Sequence, residues 1–510
     1  MTSPIHTDPP PLSGAKLAMA GFLLSLSNFV VVLDISIANV SVPHISGSLA
    51  VSPSQGTWVI TSYAVAEAIS VPLNGWLAGR FGAVKVFMIG LTGFGIFSLL
   101  CGLSPNLGSL LASRVLQGLF GGPIMPMSQA LMLRVFPKEK SAAALGLWAM
   151  TTVVAPIAGP ILGGMISDDW SWPWIFFINL PIVALCVGGA WRLVRGHETP
   201  TAKTPIDFVG LALLVVWVAA LQIMLDKGRE EDWFASAFII RLAAVASIGF
   251  IAFLLWEWTE KHPVVDLRVL RHRGFTVGVL TQSISYGTFF GTVVIIPLFL
   301  QTNLGYTATW AGYSMAFMGL IALPLSPLVA AMVDRFDVRG VVAFGVLSFA
   351  AVSLERTEWV SGIDFMTVSL PQLFQGIGTP FFFIATTALA LGAVRSDEIV
   401  SAAGLLNFMR TLSGAVATSI VTTAWERQTT AARVELAGTL NQPDSVLARV
   451  IDSGMTTDQA RSTIERLVQT EAITIATNHI FMVSSVVFLL SAVIVWFAPA
   501  VRQRSPTVSH

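Results

Sequence analysis

Runs of about nineteen or more apolar residues recur along the chain, parted by short polar breaks. They predict fourteen helices, near 17–42, 57–78, 84–104, 108–132, 141–166, 174–194, 206–226, 236–257, 275–301, 309–333, 339–356, 364–393, 399–425 and 474–498. Segments of this length and polarity match the hydrocarbon thickness of a bilayer, about 30 Å. Two polar stretches interrupt the rhythm. Residues 226–233 (DKGREEDW) predict a short charged turn. Residues 426–470 are longer, and Thr456 and Gln459 stand at capping-box spacing before Ala460, Ile464 and Leu467. That segment predicts short amphipathic helices outside the membrane, either a solvated cap or a docking surface.

The pattern also repeats. SAAALGLW at 141–148 recurs as SAAGLLNF at 401–408, Gln117-Gly118 as Gln375-Gly376, and Arg80-Phe81 as Arg335-Phe336. Three echoes in order, at an offset of about 255–260 residues, indicate duplication. The predicted fold is therefore an all-α polytopic membrane protein with fourteen transmembrane helices, two six-helix halves plus an inserted helix pair. The corresponding bounds are a disordered tail at 1–16, a first half at 17–198, the inserted pair at 199–258, a second half at 259–499 carrying the outer loop 426–473, and a tail at 500–510.

The fifth segment departs from a plain apolar span. In AMTTVVAPIAGPILGGM (149–165), Pro156 and Pro160 stand four apart, as do Gly159 and Gly163, with Gly164 following. Four residues return to one helical face, so a stripe without side-chain bulk runs beside two missing backbone donors. Lipid tolerates such a helix when packed neighbours take up the freed carbonyls. The stripe is either a tightly packed kinked span or a hinge and seal between two moving bundles, its glycine face set against the other half.

Composition narrows the class. Apolar residues make up 54% of the 510 and charged residues only 11%, half or less of what soluble chains carry. Net charge is zero, which gives no reason to expect a nucleic-acid partner. Lysine and arginine crowd one side of the predicted topology, from Lys16, Arg80 and Lys85 to Arg335 and Arg395, while on the opposite side the short loops between helices 1–2, 3–4, 5–6 and 9–10 carry none. That asymmetry predicts both termini in the cytoplasm. Cys101 and Cys186 lie alone inside apolar runs and read as small buried hydrophobes. Gly-Lys never occurs, so no phosphate-binding loop of the ATPase kind is present. No Cys/His cluster has metal spacing, and His262 with Asp266 reads as a loop anchor. No enzyme, cofactor or metal is expected.

Charges inside apolar spans are costly and face a cavity or a partner. Asp34 lies within the first span, in VVLDISIANVSVP, with Asn39 after it. Tyr63, Glu67, Ser70 and Asn74 form one stripe on the second. Arg114 opens the apolar part of the fourth with Gln117 along its face, and Arg410 follows Asn407 by one turn in the thirteenth. Burial favours a neutral acid and a nearby arginine favours the carboxylate, so such a site takes up and releases a proton as its surroundings change. Asp34 reads as a proton site, with a packing carboxylate as the alternative. Glu67 is divided between coupling and a polar seam. Arg114 reads as the partner charge, and Asn39, Tyr63, Gln117, Asn407 and Arg410 as cavity residues.

The chain resembles the major facilitator superfamily, in its fourteen-helix drug/proton antiporter branch with the EmrB-type efflux pumps. Gly159-Pro160-Ile161-Leu162-Gly163-Gly164 matches the antiporter motif G-P-x-x-G-G. Leu33-Asp34 through Asn39-Val40 and Pro43 is similar to the first-helix signature, with Ser36 in the usual Thr place, and Arg114-Val115-Leu116-Gln117-Gly118 matches R-x-x-Q-G. The loop Gly75-Trp76-Leu77-Ala78-Gly79-Arg80-Phe81-Gly82 resembles the motif after helix 2, with Gly79 in place of its Asp; the second copy keeps Asp334-Arg335. The resemblance implies proton-driven export of amphipathic, often toxic compounds across a bacterial inner membrane, by an antiporter that alternates access. It also implies a periplasmic membrane-fusion adaptor and an outer-membrane channel where the host has two membranes. A dedicated metabolite or siderophore exporter, or a sensor that binds without transport, are the rival expectations.

Overall fold

The computed structural model describes residues 10–137, 140–202, 205–439, 447, 451–452 and 455–500. The distal parts of both predicted tails and part of the 426–473 segment lie outside the described residues. The pyrrolidine rings of Pro156 and Pro160 do as well. Everything regular among the described residues is helical.

The first helices are α1 (Gly14–Ser48), α2 (Trp58–Ser70), α3 (Asn74–Phe81), α4 (Ala83–Gly102), α5 (Leu107–Gly121) and α6 (Ile124–Val135). They are followed by α7 (Ser141–Asp169), α8 (Asn179–Val194), α9 (Phe208–Lys227), α10 (Ala237–Thr259) and α11 (Arg273–Thr302). The last are α12 (Ala308–Arg335), α13 (Val338–Glu355), α14 (Phe365–Leu391), α15 (Ile399–Thr439) and α16 (Thr457–Ile494). Helix covers all fourteen predicted segments, and among the described residues eleven helices are long and apolar enough to cross a bilayer. Two segments are broken at prolines. Pro72 lies in a tight 3₁₀ turn between α2 and α3, and Pro123 lies at the joint between α5 and α6, because proline withholds the donor a continuous helix needs. Side-chain caps close several starts: Asn106 accepts from Ser109 N at 2.9 Å, and Asp207 accepts from Gly210 N at 2.9 Å.

The outward surface is apolar. On α10, Ile248 and Leu255 are 69% and 67% exposed, far more apolar surface than water tolerates on a helix face and what lipid requires. Helix α1 packs on α6, α7 and α8, α2 on α5, and α4 on α5 and α8. A second set joins α12 with α14, α13 with α14 and α16, and α11 with α15 and α16. The sets meet where α7 lies against α12 and α14, and where α3 and α6 lie against α15. Helix α9 pairs with α10 and touches both α2 and α15. Thr61 on α2 donates to Asp226 at 2.6 Å, and Ser419 on α15 donates to Leu225 O at 2.9 Å.

The echoes in sequence have like settings. A Cβ on Gly118 would meet the backbone oxygen of Tyr63 on α2, and one on Gly376 the backbone oxygen of Met318 on α12. Arg80 and Arg335 both lie in the last turn of a helix, and Ser141 and Ser401 both near the start of one.

The 426–470 segment differs from expectation. Residues 426–439 and 457–470 continue α15 and α16, which are 41 and 38 residues long, and the described residues 447 and 451–452 between them are helical too. At 1.5 Å per residue α15 and α16 each exceed the bilayer core by roughly 30 Å. Arg433 pairs with Glu465 at 2.7 Å across the projecting hairpin, and the Thr456–Gln459 capping box opens α16. Polarity here marked where helices leave lipid, and their ends lay further on.

Candidate functional site

Asp34 is 1% exposed, deep in α1, and three donors converge on its carboxylate. Arg114 Nη1 on α5 donates to Oδ2 at 2.6 Å. Gln117 Nε2 on α5 donates to Oδ1 at 3.1 Å, and Asn179 Nδ2 at the head of α8 donates to Oδ1 at 2.7 Å. Arg114 is itself fixed by Val59 O at 3.0 Å and Gln117 Oε1 at 2.9 Å, with its guanidinium 4.3 Å from the Tyr63 ring centre. Asn179 also donates to Ser98 on α4 at 3.0 Å. Five helices thus hold one ion pair in a shell that satisfies most of its lone pairs and protons, the condition under which a buried pair is sustained. Close approach of α2 to α5 depends on missing side chains: Cβ atoms on Gly118 and Gly121 would fall on Tyr63, and one on Gly122 on Ser70.

Sequence pattern had marked Asp34, Arg114, Gln117 and Tyr63, and the structure brings them together. Gln117 and Tyr63 stand with the ion pair. Glu67 and Ser70 are buried on α2 with Tyr63, and Asn74 is buried at the start of α3, yet no hydrogen bond ties Glu67 to Asp34 or Arg114 among the described residues. Asn39 is exposed and does not join; five residues past Asp34 it points to another side of the helix. Asn179, Ser98 and Cys101, whose Sγ lies 3.4 Å from Gln117 Oε1, carried no signal in the sequence.

A second cluster lies between the two helix sets. Arg410 on α15 is 3% exposed; it contacts Met125 Sδ on α6, and its guanidinium lies 5.4 Å from the Trp148 ring on α7 and 5.5 Å from the Tyr286 ring on α11. Asn407, one turn earlier, donates to Gln129 on α6 at 2.8 Å, and Trp148 donates to Ser128 at 2.9 Å. Both residues, expected to face a cavity, are buried, and Arg410 is a cation set between two aromatic rings, a pairing suited to amphipathic molecules.

The glycine stripe faces elsewhere than expected. A Cβ on Gly159 would collide with Ser36, and one on Gly163 would sit 3.1 Å from Ile37 O, so the stripe packs on α1 and not on the other helix set. Gly164 meets open space. Contact with α12 comes from a neighbouring face, through Ile161 against Gly312. Spacing reveals a face but not which neighbour fills it.

At the basic end, a Cβ on Gly75 would strike Ser401, and one on Gly404 would meet Asn74 Cβ at 3.3 Å, so α3 and α15 are in direct contact. Gly82 turns the chain at φ 94°, and Glu198, unmarked in the sequence, caps α4 by accepting from Val84 N at 2.8 Å and Lys85 N at 3.2 Å. Arg80 lies over the Trp76 and Phe81 rings at 5.7 and 5.8 Å. In the second copy Asp334 and Arg335 are exposed, and Asp337 caps α13 while binding Arg339 at 2.7 Å. That arginine holds the Asp337 carboxyl below its ordinary range. Asp266 caps its own turn by accepting from Arg268 N at 3.0 Å, an anchoring role.

A helical membrane bundle with buried charges at its centre and an amphipathic box between two helix sets defines a transporter, not an enzyme. The chain belongs to the Major Facilitator Superfamily, whose model matches residues 24–418. It is 43% identical to the fatty acid resistance protein FarB of Neisseria gonorrhoeae, covering 96% of this chain and 98% of that protein. It is also 43% identical to the multidrug export protein EmrB of Escherichia coli (strain K12), covering 96% of each. Among solved structures, the proton:xylose symporter XylE bound to 6-bromo-6-deoxy-D-glucose shares the fold at 13% identity, with a TM-score of 0.59 over 95% of this chain and 96% of that one.

Proposed function

We propose that the protein is a proton-driven antiporter that exports amphipathic compounds by alternating access. All fourteen helical segments span the inner membrane, as two six-helix halves flanking the α9–α10 pair, with both termini and the basic end in the cytoplasm. The observation that carries this reading is Asp34, held 1% exposed by three donors from two other helices. A proton on Asp34 removes its charge and weakens all three bonds at once, which frees α1 from α5 and α8 and leaves Arg114 without its counter-charge. Glu67 is a second carboxylate on the same route. The compound passes the box of Trp148, Tyr286, Met125 and Arg410. Since α3 meets α15 at the basic end, the arrangement described is closed on that side. The Gly159–Gly163 face lets α1 and α7 move as one body.

Relatives named for multidrug export and fatty acid resistance point to drugs and fatty acids as cargo. In a two-membrane host the proposed partners are a periplasmic membrane-fusion adaptor and an outer-membrane channel, and the projecting α15–α16 hairpin is the proposed surface for them. The test is uptake of a labelled amphipathic drug or decanoate into inverted vesicles energised by respiration. The reading predicts accumulation that collapses on adding a protonophore. Uptake indifferent to the protonophore would refute the proton drive.

A further inference from the structure

Arg356 closes α13 and is fully buried, at 0% exposure. Its Nη2 donates to Gln375 Oε1 at 2.6 Å, and its guanidinium lies 5.5 Å from the Phe481 ring centre. Among the described residues no carboxylate forms an ion pair with it; Glu355 and Glu358 beside it in sequence are both exposed, and Glu355 offsets part of its charge through space without bonding to it. Its Nε is buried with no hydrogen-bond partner. Trp359, 4% exposed, packs on the same Phe481 ring at 5.2 Å, and its Nε1 is also buried and unpartnered. Two unused donors and a full positive charge therefore flank one aromatic ring.

Gln375 is the echo of Gln117. In the first copy Gln117 receives Arg114 on its oxygen and passes its amide N–H to Asp34. In the second, Gln375 receives Arg356 on the same atom, but α11, the counterpart of α1, contains no Asp or Glu. The amide is kept and the acid is missing, while a guanidinium from the end of α13 reaches the amide oxygen, since the position that echoes Arg114 is Gln372. The carboxyl end of α13 offsets part of the charge but leaves Nε unbonded. Water would satisfy the donors without neutralising a cation in a low-dielectric interior, so an unpaired Arg356 is strongly unfavourable.

We infer that Arg356, Trp359 Nε1 and the Gln375 amide form a site for a single negative charge, supplied by a free halide or by the carboxylate of an amphipathic compound. The inference concerns binding alone and does not depend on the proton coupling proposed above. It is tested with the purified full chain in nanodiscs in sulfate buffer, reading melting temperature during titration with chloride and bromide and, separately, with decanoate against decanol. A saturable rise with halide supports a structural anion site; a rise with decanoate that decanol does not give supports a headgroup site. Arg356→Gln abolishes the rise, and Trp359→Phe, which keeps an aromatic ring but no N–H, weakens apparent affinity on the order of tenfold by removing one charge-assisted donor. If Arg356→Gln does not fold, Trp359→Phe carries the test. No saturable rise with either anion in wild type, or an unchanged rise in Trp359→Phe, would overturn the inference.

Discussion

Replacing Asp34 by Asn tests the central ion pair with little change of volume. Asp34 and Arg114 meet at 2.6 Å with both side chains 1% exposed. The variant keeps an oxygen for Gln117 or Asn179, so what it removes is charge. Arg114 retains Val59 O and Gln117 but no counter-charge. Removing one partner of a buried pair costs about 3–5 kcal/mol, while removing both leaves little electrostatic penalty. Arg114→Met with Asp34→Asn forfeits the bond to Val59 O, about 1 kcal/mol, and recovers most of the rest. Unfolding of wild type, both single variants and the double variant in nanodiscs therefore gives a coupling energy of about 2 kcal/mol or more. Additive single effects, with coupling under about 0.5 kcal/mol, would refute the argument, because Arg114 would then be balanced elsewhere. The scale matters for mechanism. Protonation removes the same charge, and a few kcal/mol is comparable with the roughly 2.3 kcal/mol per charge that 100 mV supplies.

Other predictions follow from the same contacts. Gly159→Val drives side-chain atoms into Ser36 and separates α1 from α7; transport falls to background while the protein still reaches the membrane, and normal efflux at normal expression would contradict this. Arg410→Lys loses the planar stacking between Trp148 and Tyr286, worth about 0.5–2 kcal/mol, and raises the substrate concentration for half-maximal efflux without altering proton leak. Burial opposes ionisation of Glu398, but the Arg395 N–H, His272 and Arg271 outweigh it and hold the carboxyl below its ordinary value. A depressed folded value means stability present at neutral pH and lost as pH falls through that lowered value. Glu398→Gln therefore lowers the melting temperature at pH 7 and converges with wild type in acid; a constant difference across pH would contradict the tie. Thr456→Ala removes the cap of α16, costing about 1 kcal/mol, which faster amide exchange in the 457–465 turn would register.

Much of the site was legible because charge inside an apolar run has few innocent explanations. Asp34, Arg114 and Arg410 stood out on that ground, and Gln117 and Tyr63 by lying at helical spacing from them. Asn179 did not, since an asparagine just after the aromatic turn 170–177 reads as an ordinary interfacial residue until folding turns it towards Asp34. Glu198 was hidden in a polar loop for the same reason. Periodicity exposed the glycine face of α7 but not its neighbour, because 3.6-residue spacing is blind to which helix fills the groove. Polarity at 426–470 was read as the end of the spans, whereas α15 and α16 continue as helices beyond them. Arg356 escaped notice because it stands at the edge of an apolar run, where arginines ordinarily reach water.

The most direct test of the account is proton movement driven by substrate. Proteoliposomes holding a pH gradient and an internal pH dye are challenged with decanoate or an amphipathic drug. The account predicts that wild type dissipates the gradient on addition and that Asp34→Asn does not, while both bind substrate. Equal dissipation by wild type and Asp34→Asn would contradict it and remove Asp34 from the proton route.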